Sequence, residues 1–468
     1  MSAEIETGWL ADLTYHEGKF ESGLAVFADS AGIIRRFSRK PNDLKGAMRL
    51  KNRALLPGLV NVHSHTFQRA IRARTEHRTT PGRDTFWTWR EAMYHAANRL
   101  TPGDIYVVSR MAFLEMLLSG ITTAGEFHYM HHAPNGTPYE DRNFLAHHVL
   151  IAADEVGLRT VLLRTAYARA GWNKPPNPGQ ARFITPSAAD FIADTEALRS
   201  CLSEFFTDAK ASVAVAPHSV RALPLDYILD VASYARSVDL PLHMHVSEQP
   251  GEIEECLAEH GLRPIELLRA NGVLSPRFTG IHAIHVTDAE VQALAQAGAR
   301  VCACPTSERN LGDGAVPADQ LTDAHVGICF GSDSNIQIDL LEDARLLEYH
   351  LRMNRLERAV LAPPSGSGAL AQKLFECATA TGAEALATPV GKLEIGMAAD
   401  FFTVDLNDAS IAGADPASLL NHIVFSLERT AIRDVCVAGQ MQIEDGHHRY
   451  EEEIVRDFGQ VQRRLWDS

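Results

Sequence analysis

Two histidines separated by one residue end the apolar segment Leu56-Pro57-Gly58-Leu59-Val60-Asn61-Val62-His63-Ser64-His65, and this spacing could bind a metal ion. In a β-strand, side chains two residues apart point to the same face, so His63 and His65 would present two imidazoles side by side. Two imidazoles are half of a tetrahedral metal site. A strand at a solvent edge could carry the same pair without a metal, so the rest of the sequence must decide between the two interpretations.

Several later apolar runs also end in residues that can bind a metal ion or transfer a proton. His245 ends one run, with Glu248 three residues further along; His282 lies in another run, and Asp333 ends a third. If these runs are parallel strands of a barrel, their carboxyl ends meet on one face. Three histidines and one aspartate on that face would form a shell for Zn²⁺ that leaves one position for water.

The elements that must position these residues follow from the hydrophobic pattern. Between about residues 57 and 385, short apolar runs such as 212–216 alternate with amphipathic helical stretches such as 225–237. This alternation predicts an α/β fold with a parallel sheet, closed as a (β/α)₈ TIM-like barrel. A doubly wound open sheet is the competing topology, but no G-x-G-x-x-G motif follows the first strand.

The two ends of the chain have a different pattern, of short apolar runs separated by turn residues, for example at 23–28 and 401–405. This pattern is typical of short strands. We therefore predict a small, discontinuous β-sandwich domain formed by residues 1–56 and 390–468. Residues 57–389 are predicted to form the metal-dependent catalytic barrel.

Charge and cysteine usage exclude several classes of function. A formal net charge of −15 over 468 residues argues against nucleic acid or an anionic membrane as a partner. The sequence has neither an apolar run long enough to span a membrane nor a secretory signal at its first residues. Seven scattered cysteines are typical of a reducing compartment, which predicts a cytoplasmic protein. Cys302 and Cys304 are predicted to be buried strand thiols rather than a soft-metal site.

Taken together, these residues resemble the amidohydrolase superfamily. The resemblance extends over nearly the whole chain and includes the His63–His65 segment, His245 with Glu248, His282, Asp333, and the stretch Gly-Lys-Leu-Glu-Ile-Gly-Met-Ala-Ala-Asp at 391–400. No lysine stands at the end of a mid-barrel strand, where it could bridge two metal ions. This absence indicates the branch with one metal ion, in which deaminases and iminohydrolases are found.

Within that branch the chain is similar to the formimidoylglutamate deiminases of histidine degradation. The similarity lies in Phe-Gln-Arg-Ala at 67–70, Phe-Trp-Thr-Trp-Arg-Glu at 86–91, Glu-Phe-His-Tyr at 126–129, Ala-Pro-His-Ser-Val-Arg at 216–221 and Asn-Leu-Gly-Asp-Gly at 310–314. The resemblance implies one Zn²⁺ per chain, held by His63, His65, His245 and Asp333. It also suggests a homodimer.

The resemblance implies hydrolysis of a small substrate that carries two carboxylates, N-formimino-L-glutamate, to N-formyl-L-glutamate and ammonia. A zinc-activated water would attack the formimino carbon, with Asp333 as proton acceptor. Glu248 would manage the proton on the imino nitrogen, and His282 would orient the water. The residues expected to bind the substrate are Gln68, Arg90, Tyr129, His218 and Arg221. For Arg90, a surface position stacked on Trp87 or Trp89 is the alternative.

Two other functions stay open on the sequence. One is a different mononuclear deaminase, acting on guanine, cytosine or an S-adenosylhomocysteine-like base, which would need an aromatic pocket without paired arginines. The other is a noncatalytic scaffold protein of the same fold, which would be expected to lack metal ligands. The segment 81–95 is a candidate for the loop that covers the substrate.

The remaining histidines near these motifs are given no catalytic role. His243 and His285 lie close to His245 and His282, which are preferred because of their position in the family pattern. Surface or helix-capping positions are predicted for a further group, which consists of His128, His131, His132, His147 and His148.

Overall fold

Short apolar runs separated by turns form the first part of the chain, as their pattern predicts. The computed structural model describes residues 6–78, 83–205, 210–364, 366 and 368–467; the first residues, to which the prediction about a secretory signal refers, lie largely outside them. The first strands are β1 (Thr7–His16), β2 (Lys19–Glu21), β3 (Ala25–Ala28), β4 (Ile34–Ser38) and β5 (Met48–Pro57), with helix α1 (Pro41–Gly46) before β5.

Eight parallel strands follow and form a barrel. They are β6 (Leu59–Ser64), β7 (Ile121–His128), β8 (Arg159–Ala166), β9 (Ala211–Pro217), β10 (Leu242–Val246), β11 (Phe278–His282), β12 (Arg300–Ala303) and β13 (Gly327–Phe330), each hydrogen-bonded to the next in chain order. The barrel closes just beyond β13, where the Asp333 amide donates to the His63 carbonyl and the His65 amide donates to the Asp333 carbonyl, both at 2.9 Å.

Helices connect the barrel strands, as expected when parallel strands need long crossovers. They are α2 (Phe86–Ala97), α3 (Pro102–Leu118), α4 (Phe144–Val156), α5 (Ala188–Phe205), α6 (Leu225–Ser237), α7 (Pro250–His260), α8 (Pro264–Ala270), α9 (Asp288–Ala297), α10 (Pro305–Leu311), α11 (Ala318–Asp323), α12 (Leu340–Arg355), α13 (Ala369–Cys377) and α14 (Ala380–Ala385), with 3₁₀ turns at Thr66–Ile71 and Pro178–Phe183. Among the described residues, no helix combines the length and apolarity needed to cross a membrane.

The C-terminal part of the chain returns to the first strands. Its elements are β14 (Phe401–Asp405), β15 (Ile432–Val437), β16 (Gln440–Glu444), β17 (His447–His448), α15 (Leu419–Ser426), α16 (Glu451–Trp466) and 3₁₀ turns at Ala409–Ile411 and Arg429–Ala431. Because β14 pairs antiparallel with β5, both chain ends share one mixed sheet of nine strands, separate from the barrel. The predicted fold class, a TIM-like barrel with a small β unit from both chain ends, is confirmed.

The two faces of the mixed sheet pack into two different hydrophobic cores. Leu55 and Phe401 point into a core of the sheet's own, where the Phe401 ring meets Trp9 edge-on at 5.2 Å. Their neighbours Leu56 and Phe402 belong to the large core that includes the barrel. Since successive strand residues face opposite sides, one apolar run at each chain end is enough to attach the sheet to the barrel.

A β-bulge at the start of the barrel shapes the segment that carries the two histidines. Asn61 pairs with Ala124 and Ser64 with Glu126, so two residues of β6 lie opposite the single residue Gly125 of β7. A Cβ atom on Gly125 would lie 2.3 Å from the carbonyl oxygen of Val62. Only glycine therefore permits the close approach of the strands at this point.

We expect Gly125→Ala to lower the free energy of unfolding by about 1–3 kcal/mol, because the added methyl group displaces the β6 backbone. Gly459→Ala, at a half-buried position of α16, is a matched control whose Cβ would meet nothing closer than 3.7 Å. It should instead raise stability by up to about 1 kcal/mol, because alanine favours a helix interior over glycine. Thermal and denaturant unfolding measure both; equal stability of Gly125→Ala and the wild type would contradict the bulge argument.

Candidate metal centre and active site

The two histidines of the first barrel strand meet residues from two other strands on one face of the barrel. His63 lies near the end of β6, His65 directly follows that strand, His245 lies in β10, and Asp333 follows β13. One ligand atom from each of the four residues lies within 4.8 Å of those of the others, and all four residues are buried. The structure therefore brings together the four residues that were predicted to hold the metal ion.

Hydrogen bonds to backbone carbonyls set the orientation of these imidazoles. His65 Nδ1 lies 2.9 Å from the Phe127 carbonyl oxygen, and His245 Nδ1 lies 3.0 Å from the His218 carbonyl oxygen. Because a carbonyl only accepts, each Nδ1 carries the proton and each Nε2 keeps its lone pair. The Nε2 atoms of His63 and His65 lie 3.2 and 3.3 Å from Asp333 Oδ1.

The protonation states of this group suit a divalent cation. Burial lowers the pKa of His63 to about 3 and that of His245 well below its usual value, so both rings are neutral, which is the form that binds metals. Burial alone would raise the pKa of Asp333, but its contacts with His63 and His65 hold that pKa well below the usual value. His63 Nε2 is buried and has no hydrogen-bond partner. A metal ion would satisfy it, and three imidazoles with one carboxylate are a donor set that Zn²⁺ accepts.

The backbone around this group is held in unusual conformations. Asp333 has φ 46°, Ser247 has φ 53° and His282 has φ 72°, values in the left-handed region that non-glycine residues seldom adopt. Asn335 helps to fix the first of these turns, because its side-chain amide donates to the His65 carbonyl oxygen at 3.0 Å. Such strain persists only where surrounding contacts hold it, and it clusters at functional sites.

Glu248 and His282 lie side by side, next to the group of four residues His63, His65, His245 and Asp333, which we call the metal-ligand group because it could hold a metal ion. His282 Nε2 is 3.8 Å from Glu248 Oε1, and the His282 ring stacks on that of His245 with centroids 5.6 Å apart. Glu252 fixes the turn that carries Glu248 by accepting from the amides of Ser247 and Glu248 at 3.1 and 3.3 Å.

The two neighbouring histidines point elsewhere. His285 Nε2 lies 3.0 Å from the Asp313 carbonyl oxygen, and His243 Nε2 lies 2.9 Å from the Ala385 carbonyl oxygen. The structure therefore places His282 beside Glu248, and it places His245 in the group of four residues that could hold a metal ion. His285 and His243 take neither position.

A pocket opens onto the four residues that could hold a metal ion, and its lining includes every residue that was predicted to bind the substrate. It is lined by His65, His245 and Asp333 of that group, by Glu248, and by Gln68, Arg90, Tyr129, His218 and Arg221. Further residues line it that sequence reasoning missed, namely Phe86, Trp89, Met93, Tyr94, Tyr167 and Leu311.

Helix α2 supplies five of these lining residues and covers one side of the pocket. They lie at positions 86, 89, 90, 93 and 94, the i, i+3, i+4, i+7, i+8 spacing of one helix face. That periodicity was present in the sequence and could have revealed Met93 and Tyr94. The segment 81–95, expected to be a loop, is thus helical from Phe86 onward, while residues 81 and 82 lie outside the described residues.

Arg221 carries unpaired hydrogen-bond donors in this pocket. It is buried, and its Nε and Nη1 atoms have no hydrogen-bond partner. Burial opposes its charge, but Glu252 and Glu248 outweigh this and raise the pKa of Arg221, so it is a cation. The guanidinium lies 5.4 Å from the Trp87 ring centroid. A buried cation with free N–H groups is suited to an anionic ligand.

Arg90 contacts the same Trp87 ring as Arg221. Its guanidinium lies 4.5 Å from the Trp87 ring centroid and 5.5 Å from that of Tyr94, so the stacking alternative is correct in its contact with Trp87. Arg90 also lines the pocket, and its Nε has no hydrogen-bond partner. Stacking and a place in the pocket therefore coexist for this residue.

Glutamine side chains orient the tyrosines of the pocket. Gln180 donates from Nε2 to the hydroxyls of Tyr94 and Tyr167, both at 2.7 Å, and Gln68 donates to the Tyr129 hydroxyl at 2.9 Å. Each tyrosine O–H is consequently left to donate elsewhere, which adds hydrogen-bond donors to an already cationic pocket.

A surface or helix-capping position was expected for three further histidines, and the surface alternative was wrong. His128, His131 and His132 are buried, and the latter two contact the carbonyl oxygens of Thr165 and Ile184 at 2.8 and 2.9 Å. The polar residues near them in the sequence suggested a solvent-exposed loop. In the structure, strand β8 and the 3₁₀ turn at Pro178–Phe183 pack over these histidines and bury them. The prediction that Cys302 and Cys304 are buried is confirmed.

We expect His245→Gln to weaken metal binding by at least about tenfold, because an amide oxygen replaces an imidazole ligand. His243→Gln is the matched control, since that residue lies on the same strand but bonds to the Ala385 carbonyl oxygen, to which glutamine can also donate. Metal content after dialysis against a chelator series measures both variants. Retention of metal in His245→Gln at the wild-type level would exclude this residue as a ligand.

Comparison with known proteins bears on the chain as a whole. The model of the amidohydrolase family matches residues 54–441. Formimidoylglutamate deiminase of Pseudomonas aeruginosa is 38% identical over 442 residues, which cover 94% of this chain and 96% of that protein. 5-Methylthioadenosine/S-adenosylhomocysteine deaminase of Natronomonas pharaonis is 27% identical, over 87% of this chain and 84% of that protein.

A solved structure agrees with the sequence comparison. The crystal structure of an amidohydrolase from Brucella melitensis superposes with a TM-score of 0.89 at 33% identity, over 98% of this chain and 99% of that one. The similarity to formimidoylglutamate deiminase that the motifs indicated is therefore confirmed. The chain belongs to the amidohydrolase family, and the prediction of a hydrolase that acts on carbon–nitrogen bonds is confirmed with it.

Proposed function

We propose that the protein hydrolyses N-formimino-L-glutamate to N-formyl-L-glutamate and ammonia. The observation that carries this proposal is Arg221, a buried cation whose Nε and Nη1 have no hydrogen-bond partner and which shares one pocket with the His/Asp group. Buried guanidinium N–H groups without a hydrogen-bond partner are costly unless a ligand satisfies them. A substrate with carboxylates at one end and a hydrolysable group at the other fits both halves of the pocket.

Recognition of the two carboxylates would fall to the arginines. A guanidinium fork matches a carboxylate with two parallel hydrogen bonds, and Arg221 and Arg90 both face the pocket. His218, Gln68 and Tyr129 would add hydrogen bonds to the same end of the substrate. The net charge of −15 does not oppose this binding, because local cations dominate in a buried pocket.

We propose Zn²⁺ as the resident ion, one per chain, held by His63, His65, His245 and Asp333. When bound there, such an ion lowers the pKa of water from about 16 towards about 7. Asp333 would accept one proton of the water as its oxygen bonds to the formimino carbon, and Glu248 would pass that proton on to the nitrogen that leaves. The carbon–nitrogen bond then breaks while the new hydroxyl oxygen becomes the formyl oxygen. The remaining hydroxyl proton returns to Asp333, and ammonia leaves.

His282 completes this arrangement by orienting the water and stabilising charge that develops on it. Its Nε2 lies 3.8 Å from Glu248 Oε1, and this proximity supports a shared role of the two side chains in the reaction. The formimino group is amidinium-like and cationic, so the Glu248 carboxylate would also attract it.

A deaminase of a purine-like base is the second candidate, because relatives at lower identity carry such names. The aromatic residues Phe86, Trp89 and Tyr94 would suit a flat base. The buried arginine would not, since a neutral base leaves its N–H groups unpaired. A noncatalytic scaffold is less well supported still, because all four metal-ligand residues are present and converge.

We further propose that the protein works in the cytoplasm as a homodimer. None of the cysteines among the described residues forms a disulfide, which is consistent with a reducing compartment. The dimer rests on the family resemblance alone.

The substrate proposal is tested by ammonia release from purified enzyme loaded with Zn²⁺. We expect turnover of N-formimino-L-glutamate and no turnover of guanine, cytosine, 8-oxoguanine or S-adenosylhomocysteine under the same conditions. N-formimino-L-glutamine, in which a neutral amide replaces the side-chain carboxylate, should be a poorer substrate because it loses one ionic contact. Activity confined to a purine would overturn the proposal in favour of the second candidate.

Arg221→Met should raise the KM for N-formimino-L-glutamate about 10- to 100-fold with a smaller change in kcat, because a charge-assisted hydrogen bond contributes about 1.5–3 kcal/mol. Arg221→Lys should fall between, since lysine keeps the charge without the planar fork. Arg236→Met, on the exposed part of α6, is the control and should match the wild type. Steady-state kinetics decide; an unchanged KM in Arg221→Met removes this residue from the binding site.

A further inference from the structure

A buried carboxylate lies behind His282, on the side away from Glu248. Glu308, in α10, is 1% exposed, and its Oε1 lies 3.2 Å from His282 Nδ1. The same oxygen accepts the backbone amide of Cys304 at 2.8 Å. Sequence reasoning assigned no role to Glu308, and the reaction proposed above does not use it.

The geometry leaves His282 with two chemically different ring nitrogens. Nδ1 faces Glu308, which accepts a hydrogen bond, whereas Nε2 faces Glu248 and the metal-ligand group. A carboxylate on one nitrogen of an imidazole holds the proton there and fixes both the tautomer and the plane of the ring. Nε2 is then the atom left to exchange a proton.

The backbone alone would not fix this ring so tightly. His282 has φ 72° and Ala283 has φ 50°, so the strand ends in a strained turn that needs support from its surroundings. Glu308 is itself rigid, because its amide donates to the Cys304 carbonyl oxygen and its own carbonyl oxygen accepts from the Asp313 amide. A rigid acceptor can therefore impose its geometry on the ring.

We infer that Glu308 is a positioning residue that acts through His282, by holding its Nδ1–H so that Nε2 faces the reacting centre. This inference rests on the proposed function for its kinetic consequences but not for the contact itself. The same cluster, His282 with Cys304 and Glu308, has ligand atoms within 4.8 Å of one another and could hold a metal ion instead. Binding of a second ion there is the competing outcome of the test.

The kinetic test is a double-mutant cycle. Glu308→Leu, which keeps the volume but removes the acceptor, should lower kcat about 10- to 100-fold with KM within about threefold. Glu308→Gln, which retains an oxygen at the shared position, should recover most of that loss. In a His282→Ala background, Glu308→Leu should change kcat by less than about twofold, because a residue that acts through His282 has nothing left to position.

Asp343→Asn is the matched control. Asp343 is another buried carboxyl that anchors α10, through the Thr306 amide at 2.9 Å, but it does not contact His282. Its replacement should leave the KM and kcat near wild type. If Asp343→Asn loses as much kcat as Glu308→Leu, or if Glu308→Leu loses the same factor with and without His282, the effect is structural and the inference is wrong.

A spectroscopic measurement tests the contact without any substrate. In protein labelled with ¹⁵N-histidine, the resonance that disappears in His282→Ala should show Nδ1 protonated in the wild type, and this signature should be lost in Glu308→Leu. Protonation at Nε2 alone in the wild type would overturn the inference, as would two metal ions per chain that fall to one in Glu308→Leu or Cys304→Ser. This measurement remains decisive if Glu308→Leu proves too unstable for kinetics, because the wild-type spectrum alone shows which nitrogen is protonated.

The two proposals fail in distinguishable ways. A wild-type enzyme inactive on N-formimino-L-glutamate, with the Nδ1 signature present, overturns the substrate and leaves the Glu308 contact intact. An active enzyme with an additive cycle overturns the role of Glu308 and leaves the substrate intact.

Discussion

Two backbone hydrogen bonds between the first barrel strand and the segment after the last one hold the site together. They join Asp333 to His63 and to His65, each at 2.9 Å, and they close the barrel at the point where the four residues that could hold a metal ion lie. Because three of these four residues also close the barrel, any opening of this seam would separate them. The left-handed backbone of Asp333 is the conformational cost of the seam.

The surrounding polar contacts make the site rigid before any ligand arrives. Backbone carbonyl oxygens accept hydrogen bonds from the Nδ1 atoms of His65 and His245. The close approach of β6 to Gly125 fixes the backbone that leads to the histidine pair. If the proposed ion binds here, it would meet nitrogens that are already oriented, so binding would need little reorganisation. The barrel supplies this order through its strands, whose ends are more rigid than loops.

Two residues, Glu252 and Trp87, each make two contacts that stabilise the buried charged side chains of the pocket. Glu252 accepts from the amides of the turn that carries Glu248, and its charge also supports the buried Arg221. Trp87 lies against the guanidiniums of both Arg221 and Arg90. The cationic end of the pocket is therefore built jointly by the loop after β9, which carries Arg221, and by helix α2, which carries Arg90.

Much of this molecule could be predicted from its sequence, because strand periodicity is local. The apolar runs, the spacing of His63 and His65, and the alternation of strands and helices determine a barrel whose strand ends carry ligands. The family motifs added Arg221 and Gln68. The sequence also contained the helical spacing that leads from Phe86 to Tyr94, although that signal was not used.

Only the tertiary structure determined the distances between elements that lie far apart in the chain. The burial of His128, His131 and His132 depends on a strand and a turn that lie over them, and no local pattern reveals such covering. The contact of His282 with Glu308 joins the end of β11 to the first turn of α10. The periodicity of apolar residues in the sequence shows which face of its own helix or strand a residue occupies. A hydrogen bond between two elements also depends on how both backbones are placed in space, which the periodicity does not show.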